Sequence, residues 1–272
     1  MIYFLSDAHL GSRVIAQHDE HIDRLARLLR QLANDATHIF LLGDIFDFWY
    51  EYLWEPHSWQ QADESWCLPR GKRMFLPVIK ALKELTTNGV EVHFFIGNHD
   101  IWTFGDLERN TGIHLHRSPA TFKLQGKTVY MAHGDGIVPT GYMEQLPPAL
   151  QTKIRRFMRL RALFHHPVAQ HLFRLLPPAL GDAFGYEWAR RSRLKELRRP
   201  CPFKGETNEE LLLWAKEHPE YDYCIFGHRH IELDWQLDER RRVLILGDFF
   251  RQFTYAAMQN GDIRIHHHSP DL

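Results

Sequence analysis

Five short segments of this sequence concentrate residue types that bind metal ions: Asp7-Ala8-His9, Gly43-Asp44-Ile45-Phe46-Asp47, Gly97-Asn98-His99-Asp100, His133-Gly134-Asp135 and Gly227-His228-Arg229-His230. Carboxylates and an amide oxygen suit hard divalent ions. Imidazoles suit Mn, Fe, Ni or Zn, so the mixture favours a transition metal over Mg²⁺ alone. Seven side chains, Asp7, His9, Asp44, Asn98, His133, His228 and His230, are too many for one tetrahedral ion. They suit two ions about 3.5–4 Å apart with one shared carboxylate, a clamp for in-line phosphoryl displacement that also brings the pKa of a water toward about 7. Singly, each segment is weak, because Asp-x-His and Gly-Asp are common in surface turns. Their joint placement carries the argument.

Each segment directly follows a short apolar run that reads as a buried strand: Ile2–Leu5, Ile39–Leu42, Val92–Ile96, Val129–Ala132 and Tyr223–Phe226. Open α/β sheets bind ligands outside the carboxyl ends of their strands, so five such turns can converge on one crevice. Helical spacing recurs between the strands, over His21–Leu32 and over Phe75–Leu85, the latter stopped by Asn88-Gly89. The alternation predicts a layered α/β fold. Arg242–Leu246 and Ile263–His267 read as strands of a closing sheet.

Residues 137–200 differ from the rest. Pro147-Pro148 and Pro177-Pro178 punctuate them, and Leu160, Leu163, Phe164, Val168, Leu172, Phe173, Leu175 and Leu176 alternate with Arg and His. We read this stretch as a helical insertion in a single domain spanning 1–272, since it would make a poor core alone. It is either an ordinary amphipathic hairpin or a lid that takes acyl chains on its apolar side and an anionic head group or membrane on its basic side.

Composition sets the limits. The 272 residues are 44% hydrophobic and 25% charged, with net charge −1, which excludes a disordered chain and any whole-protein attraction to nucleic acid. The balance is uneven: residues 151–200 carry 12 Lys/Arg against 3 Asp/Glu, and the remainder 21 against 31. Leu and Phe interrupt the basic stretch and no nucleic-acid motif accompanies it, so a nuclease is disfavoured. Three cysteines, Cys67, Cys201 and Cys224, cannot form a paired framework and fit a reducing compartment. The first residues lack the basic region of a signal peptide, and no run reaches the about 18 apolar residues of a membrane span. The expectation is a cytosolic or membrane-surface protein. Phe48–Trp66 is unusually aromatic and predicts either a core-covering loop or a wall of the substrate groove. His266-His267-His268 reads as a solvated strand end, and Cys224 as a small apolar residue inside the fifth strand.

In this order, D-x-H, G-D-x-x-D, G-N-H-D, H-G-D and G-H-x-H, the motifs resemble the calcineurin-like metallophosphoesterase family, from Asp7 to His230. The resemblance implies a two-sheet sandwich flanked by helices, with a dinuclear centre at the strand ends. It places one ion on Asp7, His9, Asp44 and His230, and the other on Asp44, Asn98, His133 and His228, with Asp44 bridging. His99 matches the family's catalytic histidine, which protonates the leaving oxygen or stabilises the transition state, and Asp47 or Asp100 would orient it.

A narrower resemblance follows from Arg161-Ala162-Leu163-Phe164-His165-His166-Pro167, His171–Pro177 and Ala189-Arg190-Arg191-Ser192-Arg193, then Val243–Asp248 and Gly261–His267. These look like the UDP-2,3-diacylglucosamine diphosphatases of lipid A synthesis, which carry a helical lid at this place. That likeness implies hydrolysis of the pyrophosphate of an acylated UDP-sugar to UMP and a lipid monophosphate. It also implies Mn²⁺ as the metal and a peripheral position on the cytosolic face of the inner membrane. Ser192, Arg193 and Lys195 match the part of the lid that contacts the substrate phosphate and sugar. The chain departs from that group at His99, where an arginine is expected, and in its aromatic 48–66 segment. Those departures leave open a metallophosphoesterase acting on another nucleotide, lipid or phosphodiester, or a binding module on the same fold. Oligomeric state is not legible.

Overall fold

The computed structural model describes residues 1–15, 17–198 and 202–269. Strands β1 (Ile2–Leu5), β2 (His38–Leu42), β3 (Glu91–Phe95), β4 (His114–His116), β10 (Thr254–Gln259) and β11 (Asp262–His267) form one sheet, in the order β11-β10-β1-β2-β3-β4. Strands β5 (Ala120–Leu124), β6 (Lys127–Ala132), β7 (Tyr223–Phe226), β8 (Glu232–Gln236) and β9 (Arg242–Leu246) form the second, in the order β5-β6-β7-β9-β8. The sheets pack face to face. Phe4, Phe40, Leu42 and Phe95 from the first meet Val129, Met131, Ile225 and Leu244 from the second in one buried cluster.

The outer faces need cover, because β1, β2, β3 and β7 are apolar on both sides. Helix α1 (His18–Leu32) buries Ile22, Leu25, Leu28, Leu29 and Leu32 along one stripe. Helix α2 (Leu76–Thr87) lies beside it with Val78, Ile79, Leu82 and Leu85. Together they cover Leu5, Leu41 and Phe94 on the first sheet. Gly89, at φ 85°, ends α2 in the left-handed conformation that a helix terminus favours. On the second sheet α7 (Glu210–Lys216) covers Phe226, Val243 and Ile245 with Leu211 and Leu212. Each large apolar side chain sealed this way contributes about 1.5–3 kcal/mol. The result is a four-layer α/β sandwich, the fold class read from the sequence.

Pairing directions fix where function can sit. β1, β2 and β3 run parallel to one another, as do β6, β7 and β9, so each sheet gathers its carboxyl ends at one edge. Short α3 (Asp106–Thr111) follows the third of these ends. Between β6 and α7 the chain forms α4 (Pro148–His165), α5 (Pro167–Arg174) and α6 (Pro178–Arg198). α4 and α5 bury no residue, whereas Tyr186, Ala189 and Arg193 of α6 are buried. The aromatic loop divides its roles: Trp49, Tyr52 and Trp59 are sealed in the interior, while Phe48 and Tyr50 face a cavity beneath the helices. Among the cysteines, Cys224 is buried in β7, Cys67 is exposed and both are free; Cys201 lies outside the described residues.

Candidate metal centre

The turns after the strands are held in conformations that most residues avoid. Asp7, His9, Asp44, His228 and His230 all have φ between 46° and 66°. Non-glycine residues enter that left-handed region rarely, and strain of this kind gathers at functional sites. Backbone hydrogen bonds between turns hold it in place. Asp7 N–H donates to the Gly43 carbonyl (3.0 Å), His9 N–H to the Asp44 carbonyl (2.9 Å) and Gly227 N–H to the His133 carbonyl (2.9 Å). Gly43 takes φ 84°, and a Cβ there would lie 2.6 Å from His133 Nδ1. A Cβ at Gly97 would overlap the Asp44 carboxylate.

All seven expected ligand residues are drawn to this edge. The ligand atoms of Asp7, His9 and His230 lie within 4.8 Å of one another, and so do those of Asp44, His133 and His228. His230 Nε2 is 3.0 Å from Asp7 Oδ1 and 3.2 Å from His9 Nε2. Asp44 Oδ2 faces both groups, 3.8 Å from His9 Nε2 and 3.4 Å from His133 Nε2. Asn98 Oδ1 joins the second group, 3.3 Å from His133 Nε2. Outer contacts fix which nitrogen faces inward. His133 Nδ1 donates to the Leu42 carbonyl at 2.8 Å, leaving Nε2 for an ion, and Asp47 Oδ1 lies 3.3 Å from His9 Nδ1 on the outer side of that ring.

The charges suit cations. Burial alone would raise Asp7, but His230, His9 and His133 outweigh it and hold the carboxyl well below the usual range. Burial also opposes ionisation of Asp44, and His133, His99 and His9 reverse that. Both are therefore ionised acceptors at neutral pH. Burial, with the neighbouring His133 adding to it, pushes His228 down to about 4, so its ring is neutral with a free lone pair. This donor set fits divalent metal ions in two adjacent groups that share Asp44.

The three residues expected at the reacting side are placed differently from one another. His99 is buried, with Nδ1 donating to the Asp47 carbonyl at 2.8 Å and N–H donating to Asp44 Oδ1 at 2.8 Å. The group that orients the ring is thus a carbonyl rather than either carboxylate. The Asp47 carboxylate turns instead to His9 and Arg193, and Oδ1 is 4.0 Å from His99 Nδ1. Asp100 accepts from the N–H groups of Gly97 (2.6 Å) and Ile45 (2.9 Å), tying two turns together. Its carboxylate is consumed by those amides, so it holds the turns rather than the imidazole.

Helix α6 closes over the centre. Ser192 and Lys195 are exposed and line a cavity of about 390 Å³ that runs from Asn98 and His99 to an apolar wall including Ile101, Trp102, Phe157, Leu160 and Phe173. Arg193 goes deeper, to two of the expected ligand residues: Nη2 is 3.0 Å from His9 Nδ1 and Nη1 is 3.3 Å from His230 Nδ1. Two contributions went unread in the sequence. Arg161 of α4 pairs with Asp135, the last residue of the fourth motif. The turn after β9 props His230: Gln252 Nε2 donates to its carbonyl at 2.8 Å, and the Phe250 ring meets its ring edge-on at 5.5 Å. Asp248 at a strand end was the signal for that turn, since it caps the N–H groups of Arg251 and Gln252.

Residues 1–232 match the family model described as calcineurin-like phosphoesterase. The chain is 35% identical over 270 residues to a protein of Porphyromonas gingivalis named UDP-2,3-diacylglucosamine hydrolase, covering 94% of this chain and 93% of that one. Proteins of the same name from Aeromonas hydrophila and Neisseria gonorrhoeae are 26% and 25% identical, with 98% and 96% of this chain and 98% and 94% of theirs covered.

Proposed function

The chain belongs to the calcineurin-like phosphoesterase family and is a metal-dependent hydrolase, and on that basis we propose that it cleaves the pyrophosphate bond of UDP-2,3-diacylglucosamine to UMP and 2,3-diacylglucosamine 1-phosphate. The observation that carries the substrate is the cavity between α4–α6 and the body. Its apolar wall begins where Asn98 and His99 end, so a molecule with fatty chains and an anionic head would present its phosphates to the metal centre. Similarity to proteins named for that substrate supports the same reading.

In this reading Asp7, His9, Asp44 and His230 hold one divalent ion, and Asp44, Asn98, His133 and His228 the other, with Mn²⁺ as the metal. Bound there, the ions supply Lewis acidity and make water acidic enough to react near neutral pH. The rest is the work of side chains. The Asp47 carboxylate supports the His9 ring from its outer side, and the Asp47 carbonyl aims His99 Nε2 toward the reacting phosphate. Ser192 and Lys195 bind the substrate's phosphate and sugar. The Arg161–Asp135 pair holds α4 across the cavity.

The insertion read over 137–200, described as far as residue 198, acts as a lid. Leu163, Val168, Leu172, Leu180, Phe184 and Trp188 are exposed on it, beside Lys153, Arg155, Arg156 and Arg159 of α4. Apolar side chains among basic ones suit the surface of an anionic bilayer. No helix among the described residues is long and apolar enough to cross a membrane. We place the protein at the cytosolic face of the inner membrane, attached through this lid.

The test compares acylated and unacylated UDP-sugars in detergent with Mn²⁺, following UMP. The diacyl substrate is expected to turn over orders of magnitude faster. Equal rates for the two, or a preference for soluble diesters, would overturn the substrate while leaving the metal chemistry standing.

A further inference from the structure

Arg193 is 4% exposed and reaches the centre from α6. Its Nη2 lies 3.0 Å from His9 Nδ1 and 3.2 Å from His99 Nε2. Nη1 is 3.3 Å from His230 Nδ1, and Nε is 3.3 Å from Asp47 Oδ1. Cζ sits 5.7 Å from the centre of the Phe250 ring. Burying a guanidinium is expensive, and seating the lid does not require it. α6 is already fixed to the body by Tyr52 Oη donating to Asp182 (2.9 Å) and by Gly181 and Gly185, which lie so close to Tyr52 and Phe48 that a Cβ would collide. Asp47 Oδ1 meets Nε, while Nη1 and Nη2 reach the imidazoles of residues expected to hold divalent cations, which places the guanidinium to meet an anion there. A pyrophosphate is such a group.

The bond chemistry calls for the same thing. Water oxygen bonds to one phosphorus, and the bond from that phosphorus to the bridging oxygen breaks. The electron pair stays on the bridging oxygen in the departing phosphate, and the water's protons pass to solvent as the products ionise. A phosphate monoester, with a second pKa of about 6, leaves without needing a proton. It needs its new negative charge met. Arg193 Nη2 lies 3.2 Å from His99 Nε2, so an oxygen held beside His99 is within reach of the guanidinium.

We propose that Arg193 is a catalytic residue delivered by the lid: its guanidinium stabilises the charge developing on the departing phosphate, so that closing over the acyl chains and completing the reaction centre are one event. This rests on the pyrophosphate reading above and goes beyond holding the bound substrate, since the interaction strengthens as the bond breaks.

The experiment measures kcat and KM on UDP-2,3-diacylglucosamine in detergent, and on bis(4-nitrophenyl) phosphate, whose leaving group also departs as an anion. The proteins are the parent, Arg193→Ala, Arg193→Lys and Tyr52→Phe, with metal content and thermal unfolding measured for each. Arg193→Ala is expected to lose about 10²–10³ in kcat on both substrates, with KM and metal content little changed and part of the rate restored by added guanidinium. Tyr52→Phe, which loosens lid seating, should raise KM for the diacyl substrate and lower kcat far less than Arg193→Ala does. An Arg193→Ala protein with parental kcat and raised KM would make the residue an anchor and overturn the proposal. If the Ala variant does not unfold cooperatively, the Lys variant is read instead: reduced kcat with parental unfolding supports the proposal, and parental kcat contradicts it. A parent that cleaves only the nitrophenyl diester would defeat the pyrophosphate reading, and Arg193 would then be judged on that diester's kcat.

Discussion

Asp44 lies between the two groups of candidate ligands. Its Oδ2 faces His9 and His133, its Oδ1 accepts from His99 N–H, and its carboxylate leaves no room for a Cβ at Gly97. Asp44→Asn should lose several orders of magnitude in hydrolysis together with bound metal, read by elemental analysis, while thermal unfolding stays cooperative. Asp47→Asn acts one shell further out. It should weaken metal binding about 10–100-fold, as loss of an orienting partner does, and a Mn²⁺ titration would show it; unchanged affinity would mean the His9–Asp47 contact has no such role. At this scale the convergence of the candidate ligands was legible because each motif is contiguous: Asp7 and His9, or His228 and His230, are two apart and follow a strand. Asp100 was less legible. Adjacency to His99 suggested a partner, but a turn that bends back on itself points the carboxylate at the amides of Gly97 and Ile45.

Among elements, α6 has the plainest division of labour. Gly181, Gly185, Ala189 and Arg193 recur every fourth residue, which places them on one face of a helix. The small residues let that face settle on Tyr52 and Phe48, and the arginine at its end enters the centre. Gly185→Leu should displace the helix from Phe48 at a cost of about 1–3 kcal/mol, raising KM for the acylated substrate; an unchanged KM would contradict the lid's role. A second element effect concerns acid. His93 of β3 is buried against His38 of β2 and His114 and His116 of β4, with Nδ1 3.0 Å from His116 Nε2. Burial, then the neighbouring imidazoles, pushes it down to about 4. A histidine lowered in the folded state is protonated first in the unfolded chain, so stability is retained above pH 6.5 and falls as pH drops from there toward 4. The loss is on the order of 2 kcal/mol at pH 5, and His93→Phe should lose less than the parent when thermal unfolding is compared at pH 8 and pH 5. The main strands were legible as apolar runs. β4, β5 and β8 were not, because short edge strands alternate polar residues and carry little apolar signal; β10, an interior strand between β1 and β11, also went unread. The Arg193 contact depends on how α6 packs, which no local pattern encodes.

For the whole molecule, the uneven charge has a structural counterpart. The described part of the basic segment forms the helices over the cavity, and some of its apolar side chains are exposed, with Leu172 61% and Val168 60% exposed. Vesicles containing anionic lipid should therefore bind the protein, and binding should weaken as salt rises because surface electrostatics are screened. Equal sedimentation with neutral and anionic vesicles would contradict a charge-guided membrane surface. The layered sandwich could be read in advance from alternating strands and helices, whereas the lid's depth of contact with the centre could not, since it joins residues far apart in the chain. The account rests most heavily on a metal centre at the strand ends acting on an acylated pyrophosphate. The measurement that tests it most directly is UMP release from UDP-2,3-diacylglucosamine by chelator-stripped protein titrated with Mn²⁺, beside Asp44→Asn. The account predicts no rate before metal, a rise to a plateau near two ions per chain, and no rise in the variant. Turnover by the stripped protein, or equal turnover by Asp44→Asn, would contradict it.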